Sequence, residues 1–492
     1  LFAAGDFGDT NGMSLEITEE QIASWPPEAQ AVVRLLMAEI TALRLEVAEL
    51  RAENVDLKKR LERLEGPKTP QNSSLPPSTQ HPHAARRRRT ASKRKQGGQP
   101  GHRKYERPLI PTEECDATKV LKPRKCRRCG TGLSGVDSAP LRHQVWELPK
   151  IKPHITEYQR HRLKCPCCSQ TTCAALPDGV PSGQSGPRLM AFTALLMAYF
   201  RQSKRRTSLF LGDLLGQQCS PALTVKIQNE VSNALEPPYQ ELRDALPGEK
   251  RVFMDESPTK QAGQRAWLWA VVTPLYAVYS IFMSRAGTAV DTLLGSEFGG
   301  FVNCDRAKMY WRVEHLQWCW SHLKRDFQAL IDSPDTQAKR LGHDLMRHVT
   351  ALFKHWRAYH KGRISRRAFR CRMAPVRAKI DALLLRGACS GNKRFAGMCN
   401  ELYSHRKRLW AFVDHEGIEP TNNTAERALR HAVIWRKSSF GTQSMQGSLF
   451  VERMLTVIET CRIQKRSVFD YVTKAVEARV AKQPAPSLLP GV

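Results

Sequence analysis

The sequence predicts a multidomain α/β protein, and three observations carry that prediction. Leucines recur every seven residues from Leu36 to Leu64. Two Cys-x-x-Cys pairs, Cys126/Cys129 and Cys165/Cys168, lie further along the chain. Beyond residue 246, short β-rich runs alternate with helical text and carry three acids, Asp255, Asp305 and Glu426. The first pattern gives an N-terminal coiled coil and the second a zinc ribbon. The third gives an α/β catalytic core with a helical insertion.

Bulk properties set the frame. A length of 492 residues suggests about three domains. Hydrophobic residues make up 41% of the chain, enough for globular cores. Mean hydropathy is −0.46, and no run approaches the length of apolar text that a membrane span needs. Lys and Arg number 77 against 47 Asp and Glu, a formal net charge of +30 that calls for a polyanionic partner. Ribosomal, chromatin or anionic-membrane association would fit the same balance. The opening Leu1-Phe-Ala-Ala-Gly5 lacks the basic flank of a signal peptide, and Met13 is the expected start, with residues 1–12 upstream of it. Fourteen cysteines, some grouped as Cys-x-x-Cys in a long chain, favour reduced thiols and one metal site. Cys219, Cys371, Cys389, Cys399 and Cys461 are isolated and read as buried small hydrophobes.

After a disordered N-terminus over residues 1–26, Pro26 and Pro27 start a helix that Gly66-Pro67 ends. Leu36, Leu43, Leu50, Leu57 and Leu64 occupy d, which puts Val33, Ile40, Val47, Asn54 and Leu61 at a. β-Branched a positions with Leu at d favour a parallel dimer, and one Asn at a fixes its register. Glu39, Glu46 and Glu53 at g face Arg44, Arg51 and Lys58 at e, and Arg60 and Glu65 continue the match with signs reversed. Residues 27–66 are therefore read as a dimerisation helix, against an amphipathic helix packed on its own domain.

Residues 67–110 turn to Pro, Ser and Gln, then to Arg86-Arg87-Arg88-Arg89, Lys93-Arg94-Lys95 and Gly97-Gly-Gln-Pro-Gly-His102. With little apolar surface to offset ordering entropy, this is a disordered basic linker whose cations bind phosphates without reading sequence. Residues 111–180 form the zinc ribbon. Each Cys-x-x-Cys loop turns tightly enough to aim two thiolates at one tetrahedral ion. The ligands are Cys126, Cys129, Cys165 and Cys168; Cys167 could replace Cys168, although symmetric spacing favours the latter. Cys115 and Cys173 are not assigned as ligands. Between the pairs, residues 145–149 and 154–158 alternate like hairpin strands. Residues 181–245 read as helices, and Leu214-Leu-Gly216 followed by Ser220-Pro-Ala resembles a helix-turn-helix, or an ordinary helical hairpin.

From residue 246 the expected order is three strands (252–254, 266–272, 276–282), a helix (288–294), a strand (301–304), a helix (around 307–311), a strand (315–319) and a helix (320–330). This β-β-β-α-β-α-β-α succession is that of an RNase-H-like core. Asp255 ends the first strand, Asp305 ends the fourth, and Glu426 lies on a helix over residues 423–433. Residues 331–415 interrupt the core with basic helical text. Residues 416–480 complete it, and 481–492 form a tail. Singly, Asp255 could cap a strand, Asp305 start a turn and Glu426 pair with Arg427 or Arg430. Together, and in fold order, they read as a catalytic set that binds divalent cations. Acids gathered on so basic a chain are costly unless magnesium lies between them. Cys319-Trp-Ser-His322 reads as a packing and hydrogen-bonding feature near that site.

The chain resembles the insertion-sequence-66 family of bacterial transposases. The resemblance is carried by Asn72-Ser-Ser-Leu-Pro-Pro-Ser78, Gly97-Gly-Gln-Pro-Gly-His102, both Cys-x-x-Cys pairs, Met254-Asp-Glu-Ser257 and Cys304-Asp305. It continues in Cys319-Trp-Ser-His-Leu-Lys-Arg325, Asn422-Asn-Thr-Ala-Glu-Arg-Ala-Leu-Arg430, Arg436-Lys-Ser-Ser-Phe-Gly441 and Val457-Ile-Glu-Thr460. It implies a DDE transposase with Asp255, Asp305 and Glu426 as the acids. It also implies two magnesium or manganese ions, and strand transfer of a 3′-hydroxyl into target DNA. Glu256 belongs to the motif without having to be a ligand, and Arg306-Ala-Lys-Met replaces the small, Gly-containing turn usual after the second acid. Arg427, Arg430, Arg436 and Lys437, with the basic arm, would hold DNA phosphates. The expected partners are the element's terminal inverted repeats, target DNA and a second copy of the chain, with accessory proteins of the same element left open. The expected location is the bacterial cytoplasm at the nucleoid. The competing class is a non-catalytic, zinc-containing dimeric DNA-binding regulator; a nuclease that cuts without joining shares the core.

Overall fold

The computed structural model describes residues 19–65, 68–73, 97, 99, 101–102 and 107–489. The cations Arg86, Arg87, Arg88, Arg89, Lys93, Arg94 and Lys95 lie outside the described residues, as do residues 1–18 and Met13 with them.

In chain order the elements begin with helices α1 (Glu19–Ala23) and α2 (Pro27–Glu65), then strands β1 (Arg162–Lys164) and β2 (Thr171–Cys173). Four helices follow: α3 (Pro187–Ala198), α4 (Lys204–Leu215), α5 (Pro221–Ala234) and α6 (Glu236–Ala245). Strands β3 (Arg251–Gln261), β4 (Gln264–Val272) and β5 (Ala277–Phe282) lead to α7 (Thr288–Leu294), β6 (Phe301–Cys304), a 3-10 turn (Lys308–Arg312) and β7 (Leu316–Trp318). Next come α8 (Trp320–Ile331), α9 (Thr336–His360), α10 (Arg366–Ala388), α11 (Lys393–Ser404) and α12 (Lys407–Asp414). The chain ends with α13 (Asn423–Ser439), α14 (Met445–Gln464) and α15 (Val468–Val480). The strand and helix order expected for the core is present, with the helix expected around 307–311 reduced to the 3-10 turn. Among the described residues no helix is long and apolar enough to cross a membrane.

Two compact units emerge. The first comprises residues 1–80 and 301–423, the second 81–300 and 424–492. The expected boundary at residue 330 is not the one the packing draws, because β6 and β7 share their unit with the inserted helices. Asn303, on β6, donates to Glu419 O at 2.6 Å. Gln317, on β7, accepts from Phe412 N at 2.9 Å, and the Trp320 indole donates to Leu409 O at 2.8 Å. These buried amide and indole groups draw their partners from residues 409–419, at the far end of the insertion and just beyond it, so strands and helices form one hydrogen-bonded body.

In that first unit α2 is one uninterrupted helix, roughly 58 Å long at the standard rise. Leu36, Leu43, Leu50 and Leu57 along its d positions are all about half exposed, between 50% and 54%. The seam read from the heptads is thus apolar and open to solvent. Segment 19–23, placed in a disordered N-terminus by sequence, is helical instead. Its Ile22 is buried, and Gln30 Nε2 reaches back to Ala23 O and Trp25 O at 3.2 and 2.8 Å. β6 and β7 pair in parallel, Val302 opposite Leu316 and Cys304 opposite Trp318.

In the second unit β3, β4 and β5 form an antiparallel meander. Phe253, Asp255 and Ser257 lie opposite Val272, Ala270 and Leu268, which lie opposite Ala277, Tyr279 and Ile281. Directly opposed residues share a face of the pleat. This face packs on α13, with Phe253, Leu268, Ala270, Val272, Ala277 and Tyr279 clustered against Ala425, Ala428, Leu429 and Ala432. Alanines at this spacing give the helix a thin stripe that lies close on the sheet. The tail is not loose: Leu488 is fully buried and Ser487 Oγ donates to Glu241 at 2.7 Å.

Two further expectations are corrected. Residues 145–149 and 154–158 form no strand; Val145, Leu148 and Ile155 are 78–85% exposed, so their alternation has no surface to bury against. The hairpin that does form is β1–β2, flanking the second cysteine pair. Of the isolated cysteines, Cys399 and Cys461 are buried as expected, whereas Cys219 is half-buried and Cys371 and Cys389 are exposed, on the outer side and at the end of α10. Between α4 and α5, Gly216 takes a left-handed conformation and Ser220 caps α5 by accepting from Leu223 N, features that a helix-turn-helix and an ordinary helical hairpin share.

Candidate active site

Asp255 stands at the centre of β3. The strand alternates its side chains, so Asp255 shares a face with Phe253 and Ser257, and that is the face α13 covers. Ser257 Oγ, one pleat further on, accepts from Arg436 of α13 at 2.9 Å, and Arg436 also donates to Pro258 O. Glu426 lies in the first turn of α13, beside the Ala425 that packs on the sheet. A carboxylate near a helix N-terminus is favoured by the macrodipole. In this unit the first strand of the meander and the helix therefore bring the first and third predicted acids onto one side of one sheet. Glu256 points to the opposite face, its side chain 3% exposed, and is held by Arg285 through its Nε (2.9 Å) and Nη2 (2.5 Å). That geometry assigns it to a structural ion pair and away from Asp255.

Asp305 follows β6 in the other unit. Its Oδ1 accepts from Ala307 N at 2.8 Å, closing an Asx turn that stands where the family resemblance expects glycine. Arg306 holds this turn, with Asp326 Oδ2 at 3.3 Å and Glu401 Oε1 at 3.4 Å. Here charge pairing fixes a loop that small residues would otherwise shape by backbone freedom. Cys319 Sγ accepts from Asn422 N at 3.1 Å, and Trp320 N donates to Pro420 O at 2.9 Å. Burial first, then Arg325 and Arg306, push His322 down to about 4, so its imidazole is neutral near neutral pH. Cys319-Trp-Ser-His322 thus packs and hydrogen-bonds the segment that runs into α13, reaching Asn422, four residues before Glu426.

The cysteine loops share one local geometry. Cys126 N donates to Thr131 O at 2.8 Å and Gly130 N to Cys126 O at 2.9 Å; Cys165 N donates to Gln170 O at 2.8 Å and Ser169 N to Cys165 O at 2.9 Å. Gly130 and Ser169 both take positive φ, 78° and 62°. Hydrogen bonds led by Thr131 lower Cys129 to about 7. The backbone amides of Cys168 and Cys167, then the Cys168 thiol, lower Cys165. Hydrogen bonding thus shifts one cysteine of each loop toward thiolate, the form that binds zinc. Among the described residues the four thiols do not gather into one set of three or more ligand atoms within 4.8 Å.

Of the predicted phosphate-binding cations, Arg427, Arg430 and Lys437 are exposed on α13, whereas Arg436 is half-buried and engaged by Ser257 and Pro258. Burial lowers its pKa. Its role is to pin β3 to α13, which sequence spacing alone did not reveal. Past it, Gly441 has φ +104° and packs so closely on Lys260 that a Cβ would meet the Lys260 carbonyl. Thr442 N donates to Lys260 O at 2.9 Å and Ala262 N to Thr442 O at 2.8 Å, which is why glycine is required there.

A mixed sheet with many helices in a multidomain α/β chain is consistent with the transposase class. The chain belongs to the transposase IS66 family, whose pattern matches residues 182–448. Residues 24–108 match a family of unknown function (DUF6444). An uncharacterized protein, y4qI, of Sinorhizobium fredii is 24% identical over 332 residues, 59% of this chain and 60% of that relative.

Proposed function

We propose that this chain is a DNA transposase that cleaves at the ends of an insertion element and joins the exposed 3′-hydroxyl to target DNA. One observation carries this reading: Asp255 occupies the sheet face that α13 covers, and Glu426 opens α13. Asp305 completes the proposed set. Their carboxylate oxygens suit magnesium or manganese, which when bound would polarise the scissile phosphate and lower the pKa of the attacking water. The chain's own residues do the rest. Arg427 and Arg430 are exposed one and four residues beyond Glu426 and would hold phosphates on either side of the reacting bond. Arg436 keeps β3 and α13 in register, so that Asp255 and Glu426 keep their spacing. Cys126, Cys129, Cys165 and Cys168 would hold zinc as a structural cross-link, in a domain with little apolar core of its own.

Strand transfer needs two DNA ends held together, and the open heptad seam of α2 supplies a dimerisation surface for it. Replacing Leu43 and Leu50 by Lys is expected to convert the dimer to a monomer by light scattering, and to abolish paired-end joining. A dimer that survives the double substitution would remove α2 from this role.

The test of the function uses the full chain, magnesium, a duplex carrying the element's terminal repeat and a supercoiled target. A joined product is expected. Cleavage without joining would leave a nuclease, and binding without cleavage a regulator.

A further inference from the structure

The helix α13 ends on a residue that ordinary helix physics disfavours. Phe440 N donates to Arg436 O at 2.7 Å, and Phe440 itself sits at φ +58°, the left-handed position where helices usually place glycine. Bulky side chains rarely adopt it. The ring is not compensated by burial either: Phe440 is 80% exposed, and among the described residues no aromatic is more so. Its backbone is nonetheless fixed, because Gly441 packs against Lys260 and Thr442 is hydrogen-bonded to the β3–β4 hairpin at Lys260 and Ala262. A strained, exposed aromatic on a rigid mount points to a functional contact.

The surroundings name the kind of partner. Lys260 and Arg265 face each other directly across the hairpin, an arrangement of like charges that destabilises a strand pair by itself. The Arg265 and Arg285 guanidinium carbons both lie 4.9 Å from the Trp267 ring centroid. Lys437 is exposed in the last turn of α13. Arg285 is already paired with Glu256; beyond that pair, no Asp or Glu occurs from Ser257 to Gly295 except Asp291, and none from Arg427 to Val451. The Lys260 backbone packs against Gly441, so the hairpin that carries Lys260 and Arg265 adjoins the Phe440 turn. A solvent-facing ring beside segments rich in cations and poor in acids matches a nucleic-acid strand, phosphates on the charges and a base face on the ring.

We propose that Phe440 stacks on an unpaired base at a splayed DNA end, with Lys260, Arg265 and Lys437 holding the adjoining phosphates. This rests on the reading of the chain as a DNA-acting protein and adds the state of the DNA it grips. Stacking on an aromatic tolerates any base, so the preference is for unpaired ends over paired ones and not for a sequence.

The experiment compares the full chain with Phe440→Ala and Phe440→Trp. The probes are a blunt duplex and the same duplex with mismatched terminal pairs, carrying a fluorescent adenine analogue at the end. Wild type is expected to bind the splayed end about tenfold more tightly and to quench the analogue. Phe440→Ala is expected to lose both while binding the blunt duplex as before, and Phe440→Trp to restore both. Because the ring is exposed, Phe440→Ala should fold, which circular dichroism checks. Lys260→Ala with Arg265→Ala should weaken binding to both probes and flatten the salt dependence. If wild type and Phe440→Ala show the same preference, the inference fails and the transposase reading stands. If wild type binds neither probe, that reading fails with it.

Discussion

Asp255→Asn is expected to abolish joined product while leaving binding of the terminal duplex intact or slightly tighter. The substitution keeps the shape of the side chain and removes the charge that holds a divalent cation. Lewis-acid stabilisation of a phosphoryl transition state is worth several kcal/mol, so the rate should fall by about three orders of magnitude or more. Binding should not fall, because removing an acid near DNA phosphates lowers repulsion. Asp255 sits on the strand face packed against α13, and Asn at this half-buried position preserves the packing. Glu256→Gln provides the contrast: it breaks the Arg285 ion pair on the opposite face and is expected to affect stability and not the chemical step. A quantitative strand-transfer assay beside an anisotropy titration checks both. Joined product from Asp255→Asn at the wild-type rate would remove this residue from the mechanism.

Much of this was legible in the sequence because certain residue types have few alternative uses. Paired Cys-x-x-Cys loops and a leucine every seventh residue each state a local geometry, a tight turn and a long helix, and the structure has both. Asp255, expected to end its strand, instead lies within β3, which runs on to Gln261. What the sequence could not show is which partner a side chain takes across space. Arg436 looks like one more cation on a basic helix, yet Ser257 and Pro258, far earlier in the chain, engage it. Phe440 looks like an ordinary apolar residue until its backbone angle and exposure are known. The alternating text at 145–158 looked like strands because alternation reports only that one face could be buried, not that anything covers it. The three-residue strands β1 and β2 carry too little pattern to be read at all.

The polar residues of α14 were illegible for the same reason, and they carry the second large effect. Glu452, Thr456 and Thr460 recur every fourth residue on a helix whose neighbours are mostly buried, a spacing that reads as a solvated stripe. Instead they line the free edge of β5, the end strand of its sheet. Glu452 Oε1 accepts from Ile281 N at 2.8 Å, Thr456 Oγ1 from Tyr279 N at 3.0 Å and Thr460 Oγ1 from Ala277 N at 3.1 Å. Three side chains thus satisfy an edge that would otherwise offer itself to another chain. Thr456→Val or Thr460→Val should each cost about 1–3 kcal/mol by stranding a buried amide, and the pair together should promote aggregation. Glu452 adds a dependence on pH. Burial raises its pKa from 4.5 to about 7, so the folded chain binds its proton more tightly than the unfolded chain does. That contribution is fully present below the unfolded value and is lost as pH rises through the folded one. Glu452→Gln keeps an acceptor for Ile281 N and has no proton to lose. The stability of wild type relative to Glu452→Gln should therefore fall by about 3 kcal/mol from acidic to slightly alkaline pH, measured by denaturant unfolding across that range. A difference that does not change with pH would show that this carboxyl titrates alike in both states, and that the edge is held by the threonines alone.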